Sequence, residues 1–191
     1  MKYEITNETH SICPNLRRIR ALKDFSDVKK GDLGGFIESE DNLSHEGDCW
    51  VYRDAEVYGN AEVHGNSIVS GKAAVFRNAV VSGNAVVSGN AQVFGYAVVS
   101  GYAQIYGNAH VFVNAEISDK AAVFHNAKVY GDARLSGNAE VSGYAEVSER
   151  AKVYGNAEVS GKAKLSGNAV VYGYAVVSDN TEVFANARIS K

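Results

Sequence analysis

The sequence predicts an all-β solenoid, a coil of short parallel strands, and three observations carry that prediction. From Val51 to Ile189 every sixth residue is Val, Ile or Leu, for 24 uninterrupted repeats. Four residues after each comes Ala at 21 of 23 places, with Ser67 and Thr181 the exceptions. The slot two residues after the aliphatic one holds Gly in 15 of 23 repeats. Self-similarity at a short fixed period specifies stacked units, each burying its apolar side on its neighbours.

An α-helix cannot carry this pattern. Six residues turn through about 600° on a helix, which spreads the aliphatic residues over three stripes and leaves no single face to bury. Read as strands, segments such as Gln92-Val93-Phe94 and Glu140-Val141-Ser142 alternate outward, inward, outward, and Val suits a pleated surface. The Gly slot, most often followed by Asn, marks a sharp corner that needs positive φ. Ala then points inward where the corner is too tight for a larger side chain. Three strand-plus-corner units close one coil of 18 residues, giving about eight coils and a prism roughly 38 Å long. An 18-residue coil also predicts outward columns. Tyr58, Phe76, Phe94, Phe112 and Tyr130 should stack as one aromatic ladder, and Asn90, Asn108 and Asn126 should stack at one corner.

Residues 1–44 lack the repeat and read as a β-rich cap over the first coil of the repeat domain, 45–191. Lys2–Asn7 and Leu16–Phe25 alternate well enough to be strands, and Gly31–Gly35 reads as a turn. A cap is needed because an uncovered coil exposes unpaired backbone groups. Arg17, Arg18, Arg20, Lys23, Lys29 and Lys30 make the cap locally basic, as expected of a solvated strand face.

Bulk properties narrow the class. A net charge of −3 and a pI near 6.0 give no reason to expect nucleic acid or an anionic membrane as partner. No apolar stretch is long enough for a transmembrane helix, and the opening MKYEITNETH has no signal-peptide core. Two cysteines, Cys13 and Cys49, are too few for a disulfide framework and read as cytosolic thiols. The expected localisation is cytoplasmic.

Repeats such as Val87-Ser88-Gly89-Asn90-Ala91-Gln92 resemble the hexapeptide repeat of left-handed parallel β-helix proteins, over about residues 45–191. The stretch GDLGGFIESEDNLSHEGDCWVY, residues 31–52, resembles the entry segment of YdcK-like hexapeptide-repeat proteins of enterobacteria and their phages, labelled as transferases largely on the strength of the repeat. The resemblance implies a left-handed coil. Many proteins of this kind are trimeric acyltransferases that use acetyl-CoA or acyl carrier protein. A His on a coil serves as their base, and the thioester arm lies between neighbouring prisms. Imidazole suits that role because it titrates near working pH. This sequence departs from the pattern: no loop interrupts the coils and no segment follows them.

The histidines divide by position. His10 lies in the cap, and His45 continues the inward register before Val51; both read as structural. His64 occupies an outward slot and reads as a surface residue. His110 and His125 are the candidate catalytic bases. His110 is outward on the aromatic-ladder face and His125 replaces Gly at a corner. An 18-residue coil puts Lys128 over His110 with Phe112 beside them, so Lys128 and Phe112 are candidate ligand-binding residues. Val113, Asp119 and His125 replace corner Gly at three successive turns, which makes that coil the least regular in the array. No metal site is expected, since His110 and His125 have no Cys or carboxylate at suggestive spacing. Recurrent corner Gly is no phosphate loop, repeat-slot serines make no triad, and three threonines are too few for an ice-binding face.

Two readings follow. The first is a non-catalytic oligomeric β-prism, a scaffold or a binder of a small molecule or protein at grooves between subunits, with no cofactor required. It is favoured by the unbroken coils, and by stacked outward apolar residues such as Val80 with Val98 and Ile68 with Val86. The array also stops in register at Lys191, so that end is expected to contact another subunit. A homo-oligomer follows, with a trimer favoured. The alternative is an acyltransferase dependent on acetyl-CoA or another acyl donor, with His110 or His125 as base, which rests on fold analogy.

Overall fold

A computed structural model describes residues 1–191. Three parallel sheets wind as one solenoid, with the aliphatic residue of every hexad at the centre of a short strand. The first face is built from strands running from Glu56–Gly59 to Glu182–Val183. The second runs from Glu62–Val63 to Arg188–Ser190, and the third from Trp50–Val51 to Val176–Val177. Register is 18 residues throughout: Val93 pairs with Val111, Val99 with Ile117 and Val87 with Ile105. Backbone N–H groups of one coil donate to carbonyls of the next on faces and corners alike, as in Ser70 N to Val87 O and Asn66 N to Gly83 O. Polar main-chain groups are thereby satisfied without helix.

The branched and the small side chains fill the tube together. Val57 to Val171 and Ala55 to Ala169 form one continuous buried core. Ser67, in an Ala slot, is buried and donates its hydroxyl to His64 O at 2.8 Å. The corners take positive φ as expected, at the glycines and at all eight residues that replace them.

The expected columns form. Tyr58, Phe76, Phe94, Phe112 and Tyr130 stack with centroids 4.8–5.0 Å apart and planes within 10°. Asn90 Nδ2 donates to Asn108 Oδ1 at 3.0 Å, and Asn108 Nδ2 donates to Asn126 Oδ1 at 3.2 Å.

The N-terminal segment is β-rich, with β1 (Tyr3–Thr9), β2 (Arg17–Ala21) and β3 (Leu33–Ile37). β1 and β2 are antiparallel, but β3 already pairs in parallel with Glu56–Gly59. The solenoid therefore begins with a ninth rung inside the stretch read as cap. Gly34 and Gly35 lie in this strand, not in a turn. They are required by close approach: a Cβ on Gly34 would sit 2.6 Å from Ile19 Cγ1, and one on Gly35 2.5 Å from Ala55 O. This first coil is two residues longer than the rest, since Ile37 lies beside Val57 while Val51 lies beside Val69.

Lys2 pins the cap to the coil. It is buried, and its ammonium donates to Cys49 O at 2.8 Å, Gly47 O at 3.3 Å and Cys49 Sγ at 3.2 Å, beside the face of Phe25. Three acceptors for three protons make a buried charge tolerable. Tyr3 OH donates to Leu43 O at 2.7 Å, and His45 stacks on the Tyr3 ring while accepting the Lys2 amide at its Nδ1. His45 Nε2 is buried without a partner. Three of the basic residues of the cap are paired at the surface, Arg18 with Glu8, Arg20 with Glu4 and Lys29 with Asp24. No helix is long and apolar enough to cross a membrane.

Candidate functional site

Sequence spacing places Lys128 over His110, and the structure puts them side by side as paired residues of neighbouring strands on the first face. His110 is half-buried. Burial, and then the Lys128 ammonium, holds its imidazole below the ordinary range, so it is neutral at neutral pH. Neither ring nitrogen has a hydrogen-bond partner in the protein. A general base is normally aimed by a third group that fixes its tautomer, and His110 has none.

The other candidates are occupied. Lys128 Nζ forms an ion pair with Glu146 Oε1 at 3.4 Å, both partly exposed. The first-face column continues with alternating signs through Lys164 and Glu182. Phe112 lies between Phe94 and Tyr130, so both faces of its ring are covered and only its edge is free for a ligand. His125 sits at the corner between the third and first faces with φ 59°, its ring edge-on to Phe124 at 4.9 Å. Phe124 in turn stacks on Tyr106. No hydrogen bond joins the two imidazoles, which therefore do not form a dyad.

The irregular coil has a steric explanation. Val113, Asp119 and His125 belong to three different corners. Along each corner column the residue one coil earlier and the residue one coil later is Gly: Gly95 and Gly131, Gly101 and Gly137, Gly107 and Gly143. Other corners substitute under the same rule, as Arg77 does between Gly59 and Gly95, and Glu149 between Gly131 and Gly167. Acidic residues at this slot gain a bond: Asp119 Oδ2 accepts Gly137 N–H at 2.9 Å, and Glu149 Oε2 accepts Gly167 N–H at 2.8 Å. The substitutions are thus part of the stacking.

Outward charge elsewhere is less tidy, and this the hexad reading missed. On the second face Arg134 lies beside Lys152, and on the third Glu140 lies beside Glu158. Like charges side by side in a sheet are destabilising. Arg134 is paired with Glu116 at 3.1 Å, whereas Lys152, Glu140 and Glu158 have no ion-pair partner within the chain. A cleft of about 430 Å³ runs along the second face between Asn114, Glu116, Asp132, Arg134, Arg150 and Lys152. Writing the sequence in rows of 18 exposes these pairs; rows of six conceal them. No group of three or more His, Cys, Asp or Glu residues is arranged to hold a metal ion.

With this geometry in place, comparison with known proteins gives two matches. The YdcK β solenoid repeat matches residues 163–179. The array is similar to that repeat. A stretch of 37 residues is 51% identical to the uncharacterized acetyltransferase YdcK of Escherichia coli strain K12, covering 19% of this chain and 11% of that protein. The likeness fits a hexapeptide-repeat β-solenoid and concerns a small part of the relative's length.

Proposed function

We propose that the protein is a non-catalytic homo-oligomeric β-solenoid, a scaffold or a binder whose ligand, a small molecule or a protein segment, sits in grooves between copies. The observation that carries this reading is the employment of the candidate catalytic residues. His110 lacks an orienting partner, Lys128 is neutralised by Glu146, and Phe112 is enclosed in the aromatic ladder. Exposed apolar side chains on the outer surface, among them Tyr96, Tyr174 and Val176, favour contact with further copies. A trimer is the assembly proposed, in the cytoplasm, where the unpaired Cys13 and Cys49 remain reduced. Sedimentation velocity at rising protein concentration tests it. Association to a defined species is expected, and a strict monomer at the highest concentration would refute the reading.

A second reading is an acyltransferase that uses acetyl-CoA. It is favoured by the acetyltransferase name of the E. coli relative and by the neutral state of His110, the form able to accept a proton. His110 or His125 would be the base, with Lys128 and Phe112 touching the ligand. Its test is a thermal shift with millimolar acetyl-CoA, together with acetyl transfer by the parent and by a His110→Ala/His125→Ala variant. Absence of both shift and transfer removes this reading.

A further inference from the structure

The like-charge pairs sort by face and by height. Within each coil, the outward residue leading a strand on the second face is followed six residues later by its counterpart on the third. The two lie within a third of a coil, about 1.6 Å, of the same height. Taken upward from the second coil, Val80 matches Val86, Val98 matches Gln104 and Glu116 matches Ala122. Then Arg134 matches Glu140, Lys152 matches Glu158 and Val170 matches Val176. Apolar meets apolar at the second and seventh coils, and cation meets carboxylate at the fifth and sixth. Every other pairing of faces between parallel copies at one height brings like charges together. Lys128 would oppose Arg134 for first on second, and Glu146 would oppose Glu140 for first on third. Any face set on its own equivalent opposes each charge to itself.

We propose that the second face of one copy docks on the third face of the next, with Arg134 and Lys152 paired to Glu140 and Glu158 across the contact. This rests on the oligomeric reading above and names the surfaces it uses. Each like-charge pair, unfavourable within one chain, then finds its counter-charge in a neighbour, and Val80, Val170, Val86 and Val176 leave water on either side. The contact is heterologous, so copies follow one another around an axis parallel to the solenoids and close into a ring. Charge complementarity of this kind also fixes axial register, because a slip by one coil sets Arg134 against Glu158 and leaves Lys152 facing Val176.

Charge reversal tests the assignment. Arg134→Glu/Lys152→Glu reverses one face and Glu140→Lys/Glu158→Lys the other. All four side chains are exposed, so folding is checked by circular dichroism and melting. Each double variant is expected to associate at least about 100-fold more weakly than the parent, since opposed like charges cost several kcal/mol. The quadruple variant, with both faces reversed, is expected to recover the parent mass. A parent that oligomerises while both folded doubles keep its mass overturns the face assignment and leaves the oligomeric reading standing. So does a folded quadruple variant that stays dissociated. A parent that is monomeric overturns both.

Discussion

Gly131 offers the sharpest test of why the solenoid's corners read as they do. Its column runs Gly59, Arg77, Gly95, Val113, Gly131, Glu149, Gly167, Ala185, alternating without exception. A Cβ built on Gly131 would meet Glu149 N at 2.7 Å and Glu149 Cα at 3.0 Å. These are backbone atoms of the next coil, so no side chain can swing aside. Gly131→Ala therefore meets two costs. The left-handed conformation, φ 72°, costs an alanine about 1 kcal/mol relative to glycine. Forcing the coils apart costs a further 1–3 kcal/mol or so, as for overpacking elsewhere. Reduced freedom of the unfolded chain returns about 0.5 kcal/mol. A net loss of about 1.5–3.5 kcal/mol lowers the melting temperature by roughly 3–14 °C for a chain of this size. Gly31→Ala is the control, because Gly31 also has positive φ, 97°, but no atom lies within 4 Å of the added Cβ. It should lose only about 1 kcal/mol. Chemical denaturation of both variants, with hydrogen exchange at Val113 and Glu149 to localise the effect, decides the matter. Equal losses at the two sites would refute the argument that vertical crowding, beyond backbone conformation, keeps non-glycine corners apart.

Three further outcomes are expected. Lys2→Met strands the carbonyls of Gly47 and Cys49 without their donor and should destabilise the cap by about 2–4 kcal/mol, read as faster amide exchange in β1 with the upper coils unchanged. Phe94→Ala breaks the five-ring ladder at its centre, removing two stacked contacts and a half-buried ring, for a loss of about 2 kcal/mol by thermal denaturation. For His110, burial and Lys128 lower the folded-state pKa, so as pH falls the unfolded chain takes up this proton first. Stability should then decline from neutral pH through the imidazole range until the folded form is protonated too. His110→Gln should flatten that part of the profile, and an NMR titration placing His110 above the free imidazole value would contradict it.

How far the molecule is legible in its sequence depends on which interval is read. The interval of six carries the fold, because branched and small side chains alternate inside a tube that admits nothing else; Val93, Val111 and Val129 are fully buried, as the pattern requires. The cap was less legible where one residue type serves two purposes. Glycine supplies positive φ at the corners but absence of a Cβ at Gly34 and Gly35, and a string of letters does not separate the two. Lys2 illustrates the same limit, since a lysine beside the N-terminus reads as solvated until three acceptors are seen around its ammonium. The candidate site draws on both intervals: an 18-residue coil puts Lys128 over His110, as the strand pairing bears out, while three successive departures from corner Gly in the hexad resemble a functional irregularity. At the interval of 18 each of them is flanked by glycine, and the irregularity dissolves into a packing rule. The same interval brings out what sequence reading passed over, the cations stacked on one face and the carboxylates at equal height on another. Inward positions answer to the core and repeat every six residues. Outward positions answer to whatever lies beyond the chain, and there the informative comparison runs up a column and across to the neighbouring face. A search for function in such a protein therefore gains more from departures along columns of 18 than from rare residues within a single hexad.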